Sequence, residues 1–426
     1  MTKREPAQVL ARLRAGKQGK EPGKLAQAIN GIQVIGFRKS LQTVVYTAQK
    51  AWWDRRHAPP APDWGSRGVG PGRMLKLEPD PPHCRARFEH AELDVRWLAS
   101  DLVRITWHPG ADPVPYAIAR EQWPSFEPGG FGVGIEEDGS LVFRVEDRLL
   151  RRDLPPVRHG TGWCHRAVLH PDEQVHGLGE RALPFDLRGT TSTMWNSEPG
   201  GHYTVGHDPI YLCTPTYVGV HTEGSYLAFY ENSNRASFSF DGDLEARFDD
   251  GALRYYIAPG PVPRAIERYS ELTGRPPLPP RWALGYHQSR WGYPSADEVR
   301  AVAAGFRDRD LPLSAIHLDI EFMDEYRVFT VDDQDFPDMP QLADELAAEG
   351  VRLVMIVDPA VARHRGYRVY EEGVAGRRFC TLPSGRILHG VVWPGWAALP
   401  DFTDPEVRRW WGLQYDTLLR AGAAGF

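Results

Sequence analysis

The sequence predicts a β-sandwich followed by the opening strands of a (β/α)8 barrel, and three observations carry that prediction. From about residue 85 to 270, apolar residues alternate with polar ones, the period of half-buried antiparallel strands. From 282 to 359, three short apolar runs alternate with two stretches of helical period, an order that builds a parallel sheet through right-handed crossovers. At 426 residues the chain also exceeds the roughly 250 to 300 that one hydrophobic core usually organises.

Residues 1–54 stand apart as a basic segment. The first 50 carry ten Lys and Arg against two Glu, a local +8 within a total of −6, which leaves −14 on the remainder. A basic amphipathic piece around 35–53 reads as a solvated helix or tail before it reads as a contact for anionic lipid. Residues 55–84 contain Ala58-Pro-Pro-Ala-Pro62, Gly68-Val-Gly-Pro-Gly72 and Pro79-Asp-Pro-Pro82, a density of backbone breakers that reads as a linker.

Within 85–275, Leu93, Val95 and Trp97 alternate with polar neighbours, as do Val103, Ile105 and Trp107, then Leu141, Phe143 and Val145, then Phe238 and Phe240. Glu137-Asp-Gly139 and Asp241-Gly-Asp243 supply turns between short strands, and many such strands make a sandwich. Prolines at 259–263 and 276–280 bracket a short helix leading into the last region, 276–426.

There the apolar runs are 282–290, 315–321 and 351–359, each short enough for a buried parallel strand. Ser295-Ala-Asp-Glu298 has the form of a capping box, with Val299, Val302 and Phe306 at helical spacing behind it. Leu342 and Leu346 mark a second helix before Gly350. A whole barrel takes about 250 residues, so 276–426 suits about four strands, whose open edges and unfilled inner face lead to the expectation that the sandwich folds while this region is molten or associates with a partner.

Composition narrows the function. A net charge of −6 gives no basis for a nucleic-acid partner. Fourteen Trp and sixteen Tyr suit surfaces on which sugar rings stack and equally suit core filling. Cys84, Cys164, Cys213 and Cys380 form no Cys-x-x-Cys pair and are expected as reduced, buried thiols, without a zinc or redox motif. The loose series His159, His165, His170 and His176 reads as surface and turn residues, and Gly177-Leu-Gly179 lacks the third glycine of a nucleotide fingerprint. No metal or cofactor is expected. Residues 1–30 hold no apolar run of signal-peptide length, and nowhere are there ~18 consecutive apolar residues; the expectation is a cytoplasmic protein with no membrane span.

Three ordered motifs then carry a resemblance. Pro279-Pro-Arg-Trp-Ala-Leu-Gly-Tyr-His-Gln-Ser-Arg-Trp-Gly-Tyr293, His317-Leu-Asp-Ile-Glu-Phe-Met-Asp324 and Ile356-Val-Asp-Pro-Ala360 resemble glycoside hydrolase family 31, the α-glucosidase family. Val175-His-Gly-Leu-Gly-Glu-Arg181 and Asp208-Pro-Ile-Tyr211 are similar to its amino-terminal sandwich. Val392-Trp-Pro-Gly395, Pro400-Asp-Phe402 and Arg409-Trp-Trp411 are similar to its barrel, so the likeness covers roughly residues 85–426. Members continue into a Trp-x-Asp-Met-Asn-Glu motif bearing the nucleophile, with the acid/base Asp further on. Ala421-Gly-Ala-Ala-Gly-Phe426 resembles the lead-in, and the motif itself is not among these residues.

Acids at strand ends are the first candidates for chemistry, because parallel sheets place their sites there. On one strand face, Asp319 and Glu321 would have Cα atoms about 6.6 Å apart at about 3.3 Å per residue, near the about 6.5 to 9.5 Å between the carboxyls of inverting glycosidases. Asp358 would come from the neighbouring strand. From the residues alone, a self-contained acid and base, acids that cap strands or pair with Arg290 and Arg327, and a ligand-holding carboxylate all stand.

The resemblance favours the last. It implies that Asp319 accepts hydrogen bonds from sugar hydroxyls in the subsite where the bond is cleaved, with Ile320, Ile356, Trp291 and Trp393 lining it. Glu198 of Trp195-Asn-Ser-Glu198 stands where many members have Asp, on a loop that reaches the site. The reaction implied is retaining hydrolysis of a terminal α-glycoside, without a cofactor. Because the residues present orient sugar without nucleophile or proton donor, the expectation is a fragment of an α-glucosidase, inactive alone and acting on α-linked oligosaccharides. The alternatives are a non-catalytic carbohydrate-binding protein and one half of a two-chain enzyme whose partner carries the missing barrel half.

Overall fold

The computed structural model describes residues 37–57, 61–127, 129–199 and 203–426; the expected basic segment before residue 37 lies outside them. The chain divides into a unit of residues 59–277 and a unit of residues 1–58 with 278–426. Helix α1, Phe37–His57, belongs to the second unit.

The first unit is a sandwich. Its strands are β1 Met74–Asp80, β2 His83–Phe88, β3 Glu92–Ala99, β4 Leu102–His108, β5 Phe131–Ile135, β6 Leu141–Val145, β7 Arg148–Asp153, β8 Val157–His159, β9 Gly162–Val168, β10 Gln174–Gly179, β11 Thr191–Met194, β12 Cys213–His221, β13 Gly224–Tyr230, β14 Ala236–Ser239, β15 Leu244–Phe248 and β16 Leu253–Pro259. One sheet runs β1-β2-β3-β4-β16-β13-β12-β10 and the other β11-β14-β15-β9-β7-β6-β5, with β8 beside β9. Val95, Val103, Ile105, Trp107, Phe143 and Phe238 fill the space between them, none above 1 % exposed. Each such side chain contributes about 1.5 to 3 kcal/mol on burial. Gly139 and Gly242 take φ of +91° and +88° in the two predicted turns, a region glycine enters without steric cost. Helix α2, Val262–Thr273, forms between the two proline clusters and buries Ala265 and Leu272 against Leu102, Leu227 and Phe229.

Three expectations fail here. Residues 74–84, expected as linker, form β1 and the start of β2. β1 is a nearly wholly exposed edge strand, and an edge tolerates the proline that a central strand excludes, so composition alone misread it. His165, expected at the surface, is 1 % exposed. It belongs to a polar network inside the core: Arg151 Nε donates to Asp153 Oδ1 at 2.5 Å, the Arg151 guanidinium also donates to the hydroxyls of Tyr217 and, at 3.1 Å, Tyr226, and the Tyr255 hydroxyl donates to Asp153 Oδ2 at 2.6 Å. His165 Nδ1 lies 3.0 Å from the Tyr230 hydroxyl, and its Nε2 lies 3.3 Å from Asp153 Oδ2. Burial alone would push the Asp153 carboxyl up, but the charge of Arg151 and then His165 hold it below its ordinary value. All four cysteines are free; Cys164 is buried, and the other three are half-buried rather than buried as expected.

In the second unit β17 His287–Ser289, β18 Ala315–Leu318 and β19 Arg352–Met355 form a parallel sheet in that order. Helix α3, Ala296–Arg307, and helix α4, Met339–Ala348, make the crossovers. Ser295 caps α3 as predicted, accepting from the Glu298 N–H at 3.3 Å, while the Glu298 carboxylate pairs with Arg290 instead of closing the box. Val299, Leu342, Ile316, Leu353 and Met355 share one core, none above 2 % exposed. The first strand is shorter than its run, because Arg281–Leu284 coils into a single 3₁₀ turn. A fourth strand position begins where Ala424 N–H donates to Leu353 O at 2.8 Å and Gly425 bridges Val354 in parallel. The sheet does not close.

Beyond β19 come β20 Val361–Ala362, α5 Arg368–Ala375, β21 His389–Val392 and β22 Gly395–Ala398, then α6 Pro405–Gln414 and α7 Asp416–Arg420. β20, β22 and β21 make a small antiparallel sheet, and α1 packs on its β21–β22 hairpin. Among the described residues no helix is long and apolar enough to cross a membrane.

Candidate functional site

Strand β18 stops at Leu318 because Asp319 turns the chain. Its Oδ1 accepts from the Ile320 N–H at 2.8 Å, and Ile320–Phe322 close one 3₁₀ turn. Asp319 and Glu321 therefore do not share a strand face, and the self-contained pair built on that spacing loses its geometry. Glu321 is 9 % exposed and sits against Gly292, where a Cβ would lie 3.2 Å from the Glu321 carboxyl carbon. Arg290 pairs with Glu298, and Arg327 pairs with Asp324.

On the neighbouring strand the ladder runs on past β19, with Ile356 N–H donating to Leu318 O at 3.1 Å. This brings Asp358 beside Asp319. Burial pushes the half-buried Asp358 carboxyl up, and the charge of Asp319 adds to the shift. The two acids thus form a pair at adjacent carboxyl ends of a parallel sheet, where side chains clear the ladder and face open space.

The other expected residues divide. Trp291 and Trp393 are 41 % and 42 % exposed with ring centroids 6.1 Å apart, and Ile356 is 38 % exposed. Ile320 is 3 % exposed and joins the barrel core, since the first residue of the turn points back among Leu318, Phe322 and their neighbours. Glu198 belongs to the sandwich unit, exposed on the loop after β11. In that loop Asn196 Oδ1 accepts from the Cys213 N–H at 2.7 Å and Arg235 lies over the Trp195 ring at 5.9 Å.

Sequence reasoning missed His287 and His317. Their Nδ1 and Nε2 lie 2.9 Å apart across β17 and β18, and burial followed by the charge of His287 lowers the His317 pKa. The available signal was period two: His317 precedes Asp319 by two residues in an otherwise apolar run, which marks one inward polar face.

No described group of His, Cys, Asp and Glu could hold a metal ion. Carboxylate acceptors and exposed indoles are groups that suit a neutral ligand offering hydroxyl donors and an apolar face.

Comparison with known proteins gives this site a context. Residues 276–426 match the model described as the glycosyl hydrolases family 31 TIM-barrel domain, and residues 135–239 match the glycosyl hydrolase 31 N-terminal galactose mutarotase-like domain. Alpha-glucosidase 2 of Bacillus thermoamyloliquefaciens is 39 % identical over 266 residues, 62 % of this chain and 34 % of that protein. Lysosomal alpha-glucosidase of Rattus norvegicus is 34 % identical over 272 residues, 62 % of this chain and 28 % of its own length. Among solved structures, a Flavobacterium johnsoniae GH31 dextranase complexed with glucose superposes with a TM-score of 0.77 at 24 % identity, covering 84 % of this chain and 47 % of that one. The chain thus spans about a third of the length of these relatives and about half of that structure.

Proposed function

Because this chain belongs to glycoside hydrolase family 31, we propose that its barrel unit holds the terminal sugar of an α-linked oligosaccharide, as the substrate-orienting part of a retaining α-glucosidase. One observation carries the reading: Asp319 and Asp358 stand side by side at adjacent parallel strand ends, close enough for the charge of one to raise the pKa of the other. A carboxylate accepting from sugar hydroxyls makes charge-assisted bonds worth about 1.5 to 3 kcal/mol each. Asp319 holds the hydroxyls, Trp291 and Trp393 take the apolar face of the ring, and Ile356 supplies an apolar wall.

Retaining cleavage needs two further roles, a carboxylate that attacks the anomeric carbon and a carboxylic acid that protonates the departing oxygen. Neither role falls to Asp319 or Asp358 in this reading. Orientation fixes the anomeric carbon in line for attack, and on its own gives binding without turnover.

Calorimetric titration of the chain with maltose and isomaltose, beside Asp319→Asn, tests the proposal. Saturable binding that weakens at least tenfold in the variant, with no glucose released by the chain alone, is the expected result. Equal affinity in parent and variant would overturn it.

A further inference from the structure

We infer that helix α1 is an interfacial membrane anchor, which lays an outward apolar stripe on an anionic lipid surface while another of its sides stays docked on the barrel unit. Leu41, Val44, Val45 and Trp52 are 54, 66, 42 and 56 % exposed, and Ala48 between them is exposed as well. At about 100° per residue these five fall within an arc of roughly 100°. They form an apolar band about 16 Å long at about 1.5 Å per residue.

The helix docks by a different side. Tyr46 meets the Trp396 ring edge-on, with centroids 6.2 Å apart. Tyr46 Oη and Gln42 Oε1 lie so close to the β21–β22 hairpin that a Cβ on Gly390 or Gly395 would stand 3.6 and 2.7 Å from them, respectively. Gln42 and Tyr46 point about 130° around the helix from the middle of the stripe. A helix that docks only to complete a core turns its apolar residues inward, and a fully solvated one is polar all round. Helix α1 does neither: it gives the hairpin a glutamine and a tyrosine and leaves leucine, valines and tryptophan outside.

Charge selects what the stripe meets. Arg55 and Arg56, both exposed, follow Trp52 in the last turn and border the stripe, and the Arg56 guanidinium lies 5.6 Å from the Trp52 ring centroid. Residues 1–57 carry twelve Lys and Arg against three acids, in a chain whose net charge is −6. A second copy would bring the same cations to the stripe, and like charges oppose that pairing. An anionic bilayer surface meets both parts of the pattern. Acyl chains take Leu41, Val44, Val45 and Ala48, the indole of Trp52 sits at headgroup depth, and the guanidinium groups reach the phosphates. Each basic group close to such a surface strengthens binding by roughly fivefold. Lys50 and Asp54, paired at 2.6 Å and both more than half exposed, lie on the side away from the stripe and keep it in water, so the helix rests on the bilayer rather than crossing it.

Flotation of the full chain with vesicles of phosphatidylcholine, with and without a one-third share of phosphatidylglycerol, tests the anchor. Binding is expected on the anionic vesicles at low salt, and at least tenfold weaker both on neutral vesicles and in about 0.5 M salt. Val44→Ser combined with Trp52→Ser should lower the partition at least tenfold, and Arg55→Gln combined with Arg56→Gln roughly tenfold. Both double variants change exposed side chains, so their thermal midpoints should stay within about 2 °C of the parent. A larger fall in the serine variant would mark the stripe as packing within the fold and overturn the inference. Undiminished binding in both variants would assign the contact to basic residues before the helix and overturn the role of α1. A parent chain that stays off anionic vesicles at low salt would overturn it outright, as would a dimer that the serine variant abolishes in place of vesicle binding.

Discussion

Trp291 and Trp393, 102 residues apart in the chain, bring their indole rings to a centroid distance of 6.1 Å at an interplanar angle of 38°. Each ring keeps about two fifths of its surface exposed. Two exposed large apolar side chains held together form a patch of the kind at which protein, membrane or ligand contacts are made, and the sugar-binding role proposed for the pair is open to direct test.

Trp393→Ala should therefore weaken maltose binding by about 1 kcal/mol, roughly fivefold, and shift the thermal midpoint by no more than about 2 °C, as surface substitutions do. Calorimetric titration with thermal unfolding of the same sample checks both halves. A large fall in midpoint with unchanged affinity would mark the pair as core packing.

Asp358 links the site to pH. Its folded-state pKa lies above the ordinary 3.8, raised first by burial and then by the charge of Asp319. The folded chain holds this proton to higher pH than the unfolded one, so the favourable contribution is fully present below 3.8 and is lost as pH rises through the folded value. Asp358→Asn should flatten the dependence of the thermal midpoint over the acid range and raise that midpoint by about 2 °C near neutrality. An unaltered pH profile in the variant would contradict the shift.

The sandwich core makes a different demand. Arg151→Met leaves Asp153 buried without its cation, a change that costs about 3 to 5 kcal/mol, while joint replacement of Arg151 by Met and Asp153 by Leu should recover much of the loss. Urea unfolding followed by tryptophan fluorescence measures both. Asp153 itself contributes stability that is present above 3.8 and is lost as pH falls through its lowered folded value, so the parent should weaken in acid more steeply than the double variant.

Gly292 has φ of +85°, and a Cβ there would stand 3.2 Å from the Glu321 carboxyl carbon. Gly292→Ala combines a left-handed backbone, about 1 to 2 kcal/mol for a residue with a side chain, with crowding of a buried acid. A midpoint lower by about 5 °C and weaker sugar binding through the displaced Trp291 are expected; thermal unfolding and titration would reveal either failing.

How much of this was legible depended on the kind of signal. Period two placed Val95, Ile105, Trp107 and Phe143 in the core, and a capping serine placed the start of α3 at residue 295, because both patterns are local. What escaped was what tertiary contact decides. Arg151 and His165 are residues of a kind that usually faces a surface, yet they point inward because Asp153 on the strand of Arg151 and tyrosines on three other strands, β12, β13 and β16, complete their hydrogen bonds. The turn at Ile320–Phe322 is fixed by one bond from the Asp319 side chain to the next N–H, a competitor to the ladder that composition does not display. Asp319 and Asp358 were visible as acids closing apolar runs, whereas their standing side by side is decided by the register of two strands.

Helix α1 ends at residue 57, and the first strand it docks on starts at residue 389, about 330 residues later. At roughly 5 to 20 residues per second of synthesis, the helix waits roughly 17 to 66 seconds for a surface to rest on. The sandwich strands emerge during that wait and pair among themselves. The residues of α1 therefore leave the ribosome well before the hairpin they rest on, and in the folded unit Leu41 and Val44 still face outward.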